Sequence, residues 1–360
     1  LVAIMARASA HRVRTFSVGF GAEGRDIDES DDAARTAAYI GTEHTHVEVT
    51  GQDVANSICD VADGLDQPSV DGINSYFVSM AARRAVTTTI SGTGGDELFA
   101  GYPWFARMAD YARLHAQGIG GCVRDFVSHC AQWSTFDPLA VHWRGRWLYN
   151  LRQMGFLAEY SGSYRVFGAL DAARLMTPSL RHSGHSGCAD EYDLARYDEL
   201  RCASAVERVT VLSLWRYTAN QLLRDIDAAS MAHSLEVRVP LLDTRLFDVA
   251  LSLPDNTKLG EGSVDVEADT YRKSGVKRIL ADAGRNLLPA DMDIQPKRGF
   301  AMPFAAWLRG PLNQVLRDTL DPTSVSRRGL LDADAVAKVA KDYEEGRVGW
   351  MKPWLLMMLE

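Results

Sequence analysis

Apolar and polar positions change their spacing in a regular order along the first hundred residues. Residues 1–8 have a helical apolar pattern, and the β-branched and aromatic run at 13–20 predicts a strand. The alternation continues, with helices predicted at 28–40, 52–64 and 75–84 and strands at 44–49 and 86–90. Such alternation is typical of parallel strands joined by crossovers, with ligands at the carboxyl ends of the strands. The sequence therefore predicts an α/β fold.

The strand predicted at 86–90 runs directly into Ser91-Gly-Thr-Gly-Gly-Asp-Glu-Leu-Phe-Ala-Gly-Tyr102. Glycines leave main-chain N–H groups uncovered and allow positive φ, and the two acids open the next helix, where carboxylates suit the helix dipole or hold a cation. These features indicate a nucleotide and metal site. Taken alone, however, the loop fits a tight strand-to-helix turn with capping acids at least as well.

After residue 102 the pattern becomes mainly helical. Tryptophans at 133, 143 and 147 lie in this part and indicate helices packed on or beside the sheet, since few basic residues stand between them. We therefore divide the chain into a nucleotide-binding α/β core at 1–102 and a mainly helical remainder at 103–360.

Charge and cysteine content exclude several functional classes. The chain has 39 basic and 47 acidic residues and a net charge of -8, which argues against broad binding to nucleic acid or anionic membranes. No apolar run approaches membrane-spanning length. The five cysteines are scattered without C-x-x-C spacing, so a disulfide framework is not expected and a cytoplasmic location is.

Two later segments carry further candidate chemistry. Glu236 and Arg238 alternate in an extended segment, which places them on one face as a natural ion pair. A structural pair that fixes the preceding helix and a direct role in chemistry are both consistent with this spacing. The basic turn at 295–304 places Lys297 beside glycine between apolar flanks, an arrangement suited to an anionic ligand.

Two common nucleotide-binding motifs do not fit the glycine-rich loop. The dinucleotide fingerprint G-x-G-x-x-G requires glycine where Glu97 stands, and an acid there would repel a pyrophosphate. The phosphate loop G-x-x-x-x-G-K-S/T does not occur in the chain. A dehydrogenase and a Walker-type NTPase are therefore disfavoured.

Three segments together resemble, in this order, the synthetase domain of glutamine-dependent asparagine synthetases. They are the loop 91–102, the segment Asp-Ala-Ala-Ser-Met-Ala-His-Ser-Leu-Glu-Val-Arg-Val-Pro-Leu-Leu-Asp at 227–243, and Pro-Lys-Arg-Gly-Phe-Ala-Met-Pro at 296–303. Segments 15–20 and 66–76 also look like parts of that family, so the resemblance spans essentially the whole chain.

The resemblance implies an ATP-pyrophosphatase fold that adenylates a carboxylate, most simply aspartate, with release of pyrophosphate. Ammonia then displaces AMP to form an amide. The implied cofactors are ATP and Mg²⁺, with Asp96 as the magnesium ligand and Lys297 as the catalytic cation. The implied nucleotide contacts are Val18, Ser91, Gly92, Gly94 and Gly95. Residues expected to organise the site are Glu97, Arg224, Asp227, Glu236 and Arg238.

Other parts of the family pattern are expected outside these 360 residues. Helical apolar patterns run to both ends of the chain, and the family's S-G-G-x-D-S loop and its glutaminase domain would precede Leu1. The chain is therefore expected to be an inactive fragment whose ammonia comes from that missing domain. No nucleic-acid or membrane partner is expected, and a homodimer is an expectation for the full-length protein only.

Thr93 leaves the substrate open. Asparagine synthetases commonly carry Glu at this place in the loop, where it is linked to formation of the aspartyl-adenylate. A related ligase that adenylates another carboxylate, of the β-lactam synthetase or peptide cyclase type, is therefore an alternative. A catalytically inactive paralogue that acts as a scaffold or binding subunit is the alternative of a different class.

Overall fold

The computed structural model describes residues 1–116, 156–163, 165–183, 199–200, 203–260, 270–295 and 302–360. Within these residues it contains four strands, β1 (Arg14–Gly19), β2 (Glu43–Glu48), β3 (Thr88–Ile90) and β4 (Glu236–Arg238). β1 pairs in parallel with β2, and β3 pairs in parallel with β4. The described strands thus form two small parallel sheets.

Helices of the first half connect and cover these strands. They are α1 (Val2–Ala8), α2 (Ser30–Ile40), α3 (Gly51–Gly64), α4 (Gly72–Arg83), α5 (Gly95–Leu98), α6 (Pro103–Ala116), α7 (Phe156–Gly162), α8 (Ala169–Leu175) and α9 (Pro178–Ser183). One short 3-10 helix, Gly21–Glu23, follows β1.

The described residues of the second half are mainly helical. It contains α10 (Ala205–Leu212), a π-helix (Ser213–Leu222), α11 (Leu223–Met231), α12 (Thr244–Ser252), α13 (Asp255–Lys258), α14 (Tyr271–Ser274), α15 (Arg278–Gly284), α16 (Phe304–Trp307), α17 (Asn313–Thr319), α18 (Pro322–Arg328), α19 (Ala333–Glu344) and α20 (Met351–Leu359). Short 3-10 helices lie at Pro240–Leu242 and Met292–Ile294.

The prediction of an α/β fold with parallel strands and many additional helices is confirmed. Local signals explain several boundaries: α2 ends at Gly41, whose φ of 82° is left-handed, and α3 begins with a capping box between Thr50 and Asp53. The division of the chain near residue 102 stays a prediction.

The partner of β3 could not be anticipated from chain order. It is β4, almost 150 residues later, and not β2. Hydrogen bonds from Glu236 N to Thr87 O and from Ser91 N to Arg238 O extend this ladder at both ends. β3 is also less buried than an interior parallel strand would be, with Ile90 39% exposed, because it borders the cleft described below.

The largest core cluster joins the N-terminal and C-terminal parts of the described chain. Phe20, Val54 and Phe77 pack in the same cluster as Trp307 and Trp354. Trp307 Nε1 donates to Glu23 Oε2 at 2.6 Å, so the buried indole is also hydrogen-bonded. A second cluster, around Phe105, Met108, Tyr160, Val209 and Leu212, joins α6, α7 and α10. In the described residues we find no helix that is both long and apolar enough to cross a bilayer.

Candidate active site

The glycine-rich loop connects the end of β3 to α5. Gly94 lies in the left-handed region at φ 98°, and a Cβ at this position would press against Leu242. Glycine is therefore required there by both backbone conformation and space. Ser91 and Thr93 hydroxyls lie 2.8 Å apart, and the Thr93 N–H donates to Ser91 Oγ at 3.2 Å, so the loop is tied by its own side chains.

Asp96, in the first turn of α5, forms an ion pair with Lys277. The ammonium Nζ lies 2.7 Å from Asp96 Oδ1, and the side chains of Lys277 and Asp96 are 18% and 31% exposed, respectively. Lys277 comes from the segment between α14 and α15 and has a left-handed backbone, with φ 51°. Asp96 thus contacts a distant cation rather than serving only as a helix cap. Gly94, the N-cap residue, has no side chain for that purpose.

Glu97, the next residue, points into the protein. It is 1% exposed and accepts a hydrogen bond from Tyr102 Oη at 2.8 Å. Burial raises the pKa of this carboxyl, and the Tyr102 bond opposes that change. Burial and the neighbouring carboxylate likewise raise the pKa of the Tyr102 hydroxyl, which keeps it a neutral donor.

Two more carboxyl groups lie at the start of α4 and in α11. Asp71 accepts hydrogen bonds from Tyr217 and Gln221, and burial raises its pKa. Asp225 is 2% exposed and accepts from the Ser69 hydroxyl at 2.5 Å. Burial raises the pKa of Asp225 to about 6, with a smaller contribution from the negative charge of Asp71.

These groups line one large cleft with a volume of about 1540 Å³. β1 and β3 border it with Arg14–Phe16 and Thr88–Ile90, and within the described part of the chain each of these strands pairs on one edge only. The charged side chains along the cleft are Arg14, Asp71, Asp96, Glu97, Asp225, Arg238 and Lys277. The cleft runs along the start of β1 and the whole of β3 and reaches the loop after β3. Charged groups that converge in a cleft are typical of a small-molecule site.

The cleft contains many, but not all, of the residues expected from the sequence. Ser91, Gly92, Thr93, Asp96, Glu97 and Arg238 line it. Gly94 and Gly95 belong to the loop but are not among the described residues that line the cleft. Val18 is 7% exposed and lies in the core cluster. Their contacts with a nucleotide stay predictions. Lys297 lies outside the described residues.

The segment 224–238 is only partly at the cleft. Arg224 and Asp227 are exposed and are absent from the cleft lining in the described part of the chain, whereas Asp225 between them faces it. Glu236 and Arg238 form the expected ion pair, at 2.7 Å, but both side chains are more than half exposed. Their organising role stays a prediction.

Sequence reasoning missed Lys277, Asp71 and Tyr217. Asp71 stands in a segment that resembled the family, and this signal could have drawn attention to it. Lys277 comes two residues after Gly275 in a stretch without a distinctive motif, and Tyr217 lies in an apolar helical pattern. Their proximity to the loop arises only through tertiary packing.

The donor set is compatible with magnesium of the kind bound jointly with a nucleotide. Among the described residues no group of three or more His, Cys, Asp or Glu side chains forms a metal cage. Mg²⁺ commonly uses one or two carboxylates together with water and substrate phosphates, so the partly exposed Asp96 carboxylate is a suitable ligand.

Comparison with known proteins adds an independent line of evidence. The family model described as asparagine synthase matches residues 1–360. Asparagine synthetase [glutamine-hydrolyzing] 1 of Bacillus subtilis (strain 168) is 25% identical over 333 residues, which cover 92% of this chain and 48% of that protein. A protein of Mycobacterium bovis, provisionally named as a glutamine-hydrolysing asparagine synthetase, is 28% identical over 357 residues, 96% of this chain and 49% of its own length.

A fungal protein is also similar. Amidase chry2 of Gibberella zeae is 22% identical over 348 residues, with 90% of this chain and 48% of that protein covered. The chain therefore spans about half the length of each of these relatives.

Proposed function

This chain belongs to the asparagine synthase family, and on that premise we propose that it catalyses ATP-dependent formation of a carbon–nitrogen bond. The observation that carries the proposal is the pairing of Asp96 with Lys277 beside the glycine-rich loop, at the carboxyl end of a parallel strand. Phosphoryl chemistry requires an acid that holds the metal, an ammonium that neutralises phosphate charge, and accessible backbone N–H groups.

The first step is adenylation of a carboxylate. A carboxylate oxygen forms a bond to the α-phosphorus of ATP, while the bond from that phosphorus to the bridging oxygen breaks and pyrophosphate leaves with the electron pair. Asp96 would hold Mg²⁺, which neutralises negative charge on the phosphates. Lys277 and, by the family resemblance, Lys297 stabilise the charge that develops on the departing group.

The second step is amide formation. The nitrogen of ammonia bonds to the acyl carbon, and AMP leaves with the electrons of the broken carbon–oxygen bond. We propose aspartate as the carboxylate, asparagine as the product, and glutamine as the source of the ammonia in the full-length protein. The similarity to glutamine-hydrolysing asparagine synthetases supports these assignments.

Thr93 favours a second candidate within the same chemistry. Its hydroxyl forms a hydrogen bond with the Ser91 hydroxyl, so two neutral groups lie where asparagine synthetases commonly have an acid. A ligase that adenylates a different carboxylate, as in β-lactam or peptide ring closure, would not need that acid.

Pyrophosphate release by the full-length protein tests the proposal. We expect release from ATP and Mg²⁺ with L-aspartate and ammonia, and formation of asparagine. Release only with other acids, such as L-glutamate or an aspartate-containing peptide, would support the second candidate. No release with any acid would indicate an inactive scaffold and overturn the enzymatic proposal.

Lys297→Ala tests the proposed catalytic cation. We expect loss of adenylation with ATP binding largely retained, since the ammonium acts on charge that develops during the step. Lys341→Ala, at an exposed position in α19, is the matched control and should behave like the wild type. Near-normal turnover of the Lys297 variant would contradict the assignment.

A further inference from the structure

Asp71 is held in one orientation by two side chains from a single helix. Its Oδ2 atom accepts hydrogen bonds from Tyr217 Oη and from Gln221 Nε2, both at 3.1 Å. Asp71 and Tyr217 line the cleft, whereas Gln221 approaches from outside its lining. Both donors bind the same oxygen, so these two contacts between described residues leave Oδ1 available to a ligand in the cleft.

Both donors lie in the π-helix Ser213–Leu222. Such helices are rare, usually single-turn, and frequent at functional sites. This one is also tied to the loop before α4, because Gln67 Nε2 donates to Asn220 O at 3.2 Å. The unusual helix thus fixes Asp71 through Tyr217 and Gln221, and fixes the loop that leads to Asp71 through Asn220.

An aromatic wall connects Asp71 to the glycine-rich loop. The Tyr217 and Tyr102 rings pack edge to face with their centroids 5.9 Å apart. Trp104 stacks on Tyr102 with 4.2 Å between the ring centroids. Tyr102 in turn donates to Glu97, the residue next to Asp96. Asp71 is therefore part of the same wall of the cleft as the proposed phosphate site.

The surroundings of Asp71 make its carboxylate a stronger proton acceptor than the carboxylate of an exposed aspartate. In the described part of the chain no Lys or Arg forms an ion pair with it, and its facing groups are Tyr217, Gln221 and the carboxyl of Asp225. Burial raises its pKa above the usual value, while the Tyr217 bond lowers it. A carboxylate with a raised pKa binds a proton more tightly and is therefore a stronger base.

We propose that Asp71 accepts the proton of the nitrogen that attacks the activated carboxyl, and that Tyr217 and Gln221 are the positioning residues that orient it. This role rests on the proposed function and concerns its second step. The lone pair of ammonia forms the nitrogen–carbon bond, a nitrogen–hydrogen bond breaks and its proton passes to Asp71, and the electrons of that bond stay on nitrogen as the lone pair of the amide. The carbon–oxygen bond to AMP breaks, and AMP carries away its electrons.

Asp71→Asn separates the two steps in the full-length protein. With L-aspartate, L-glutamate or an aspartate-containing peptide as the carboxylate, we expect ATP–pyrophosphate exchange within about twofold of wild type. Ammonia-dependent amide formation should fall by about 100-fold, the lower end of what general-base catalysis contributes. Hydroxylamine is a stronger nucleophile that is largely neutral at pH 7, so hydroxamate formation should stay near the wild-type rate.

One further variant gives a readout that a purely structural role would not change, and a second variant is its control. Tyr217→Phe removes a hydrogen bond that lowers the pKa of Asp71, so the rising limb of the amide-formation pH profile should move to higher pH. Asp63→Asn, at an exposed position in α3, is the matched control and should leave both steps unchanged.

The outcomes distinguish this role from the proposed function. Wild-type protein without exchange for any of the three carboxylates would overturn the proposed function and the Asp71 role with it. Normal exchange with ammonia-dependent synthesis within threefold of wild type in Asp71→Asn would overturn the Asp71 role alone. Equal loss with ammonia and hydroxylamine, or loss of exchange in the variant only, would also overturn that role.

Discussion

Lys277 and Asp96 form an ion pair beside the glycine-rich loop, although 181 residues separate them along the chain. The ammonium lies 2.7 Å from the carboxylate, and neither side chain is fully exposed. Such a pair keeps an acid and a cation in place at a site where phosphate charge is expected. The pair joins the glycine-rich loop to the second half of the described chain.

Replacement of Lys277 should impair adenylation. We expect Lys277→Met to lower ATP–pyrophosphate exchange by about 100-fold, the scale on which loss of one charge-stabilising donor acts. Lys273→Met, in the neighbouring α14 and exposed, is the control and should retain exchange. Exchange within threefold of wild type in Lys277→Met would show that this ammonium does not act on the phosphates.

Gly101 provides an independent test of the same pair. A Cβ on Gly101 would overlap both Asp96 Oδ1 and Lys277 Cε, so Gly101→Ala should force the two side chains apart. We expect exchange activity to fall while the protein stays folded by circular dichroism. Gly349→Ala is the control, since a Cβ there meets nothing within 4 Å. Unchanged exchange in Gly101→Ala would contradict a need for this geometry.

Asp225 should make stability depend on pH in the acid range. Its folded-state pKa, raised to about 6 by burial, exceeds the ordinary 3.8, so the folded state binds the proton more tightly than the unfolded state. Stability is therefore expected to decrease as pH rises from about 4 to about 6. The contribution is on the order of 2 to 3 kcal/mol for a shift of about two units.

Asp225→Asn should remove this contribution, because the amide stays neutral and its oxygen can still accept from Ser69. Urea unfolding at pH 4.5 and pH 7 measures the effect. The free energy of unfolding should fall between these pH values by more in the wild type than in the variant. Parallel pH dependence in the two proteins would contradict a raised pKa for Asp225.

The Glu236–Arg238 pair should matter for activity rather than for stability. Both side chains are more than half exposed, and water screens such exposed ion pairs, so they add little to stability. We expect Arg238→Gln, at the cleft, to reduce amide synthesis, and Glu236→Gln to have a smaller effect. Both variants should unfold at nearly the same urea concentration as wild type. A larger loss of stability would assign the pair a structural role.

Local sequence signals predicted the N-terminal elements well. Gly41 and Thr50 stop and start helices by backbone conformation and capping, and both effects act within a few residues. The glycine-rich loop was predictable for the same reason, since Gly94 must adopt a left-handed conformation. The pair Glu236 and Arg238 followed from the alternation of side chains along a strand.

The orientation of side chains on helices was harder to predict. The sequence pointed to Arg224 and Asp227, whose roles stay predictions, whereas the charged residue of 224–227 that lines the cleft is Asp225. Neighbouring residues on a helix point in different directions, and the buried direction is set by what packs against the helix. In this case α11 packs against α4, so Asp225 points toward Ser69.

The sequence by itself determined the alternation of helices and strands, the conformation of the loop after β3 and the family to which the chain belongs. These depend on local backbone preferences and on short ordered motifs, which a linear sequence displays directly. Only the tertiary structure decided that β3 pairs with β4, that Lys277 faces Asp96, and that a π-helix aims Tyr217 and Gln221 at Asp71. Those contacts join residues far apart in the chain, and burial, which sets their proton affinities, is a property of the packed molecule.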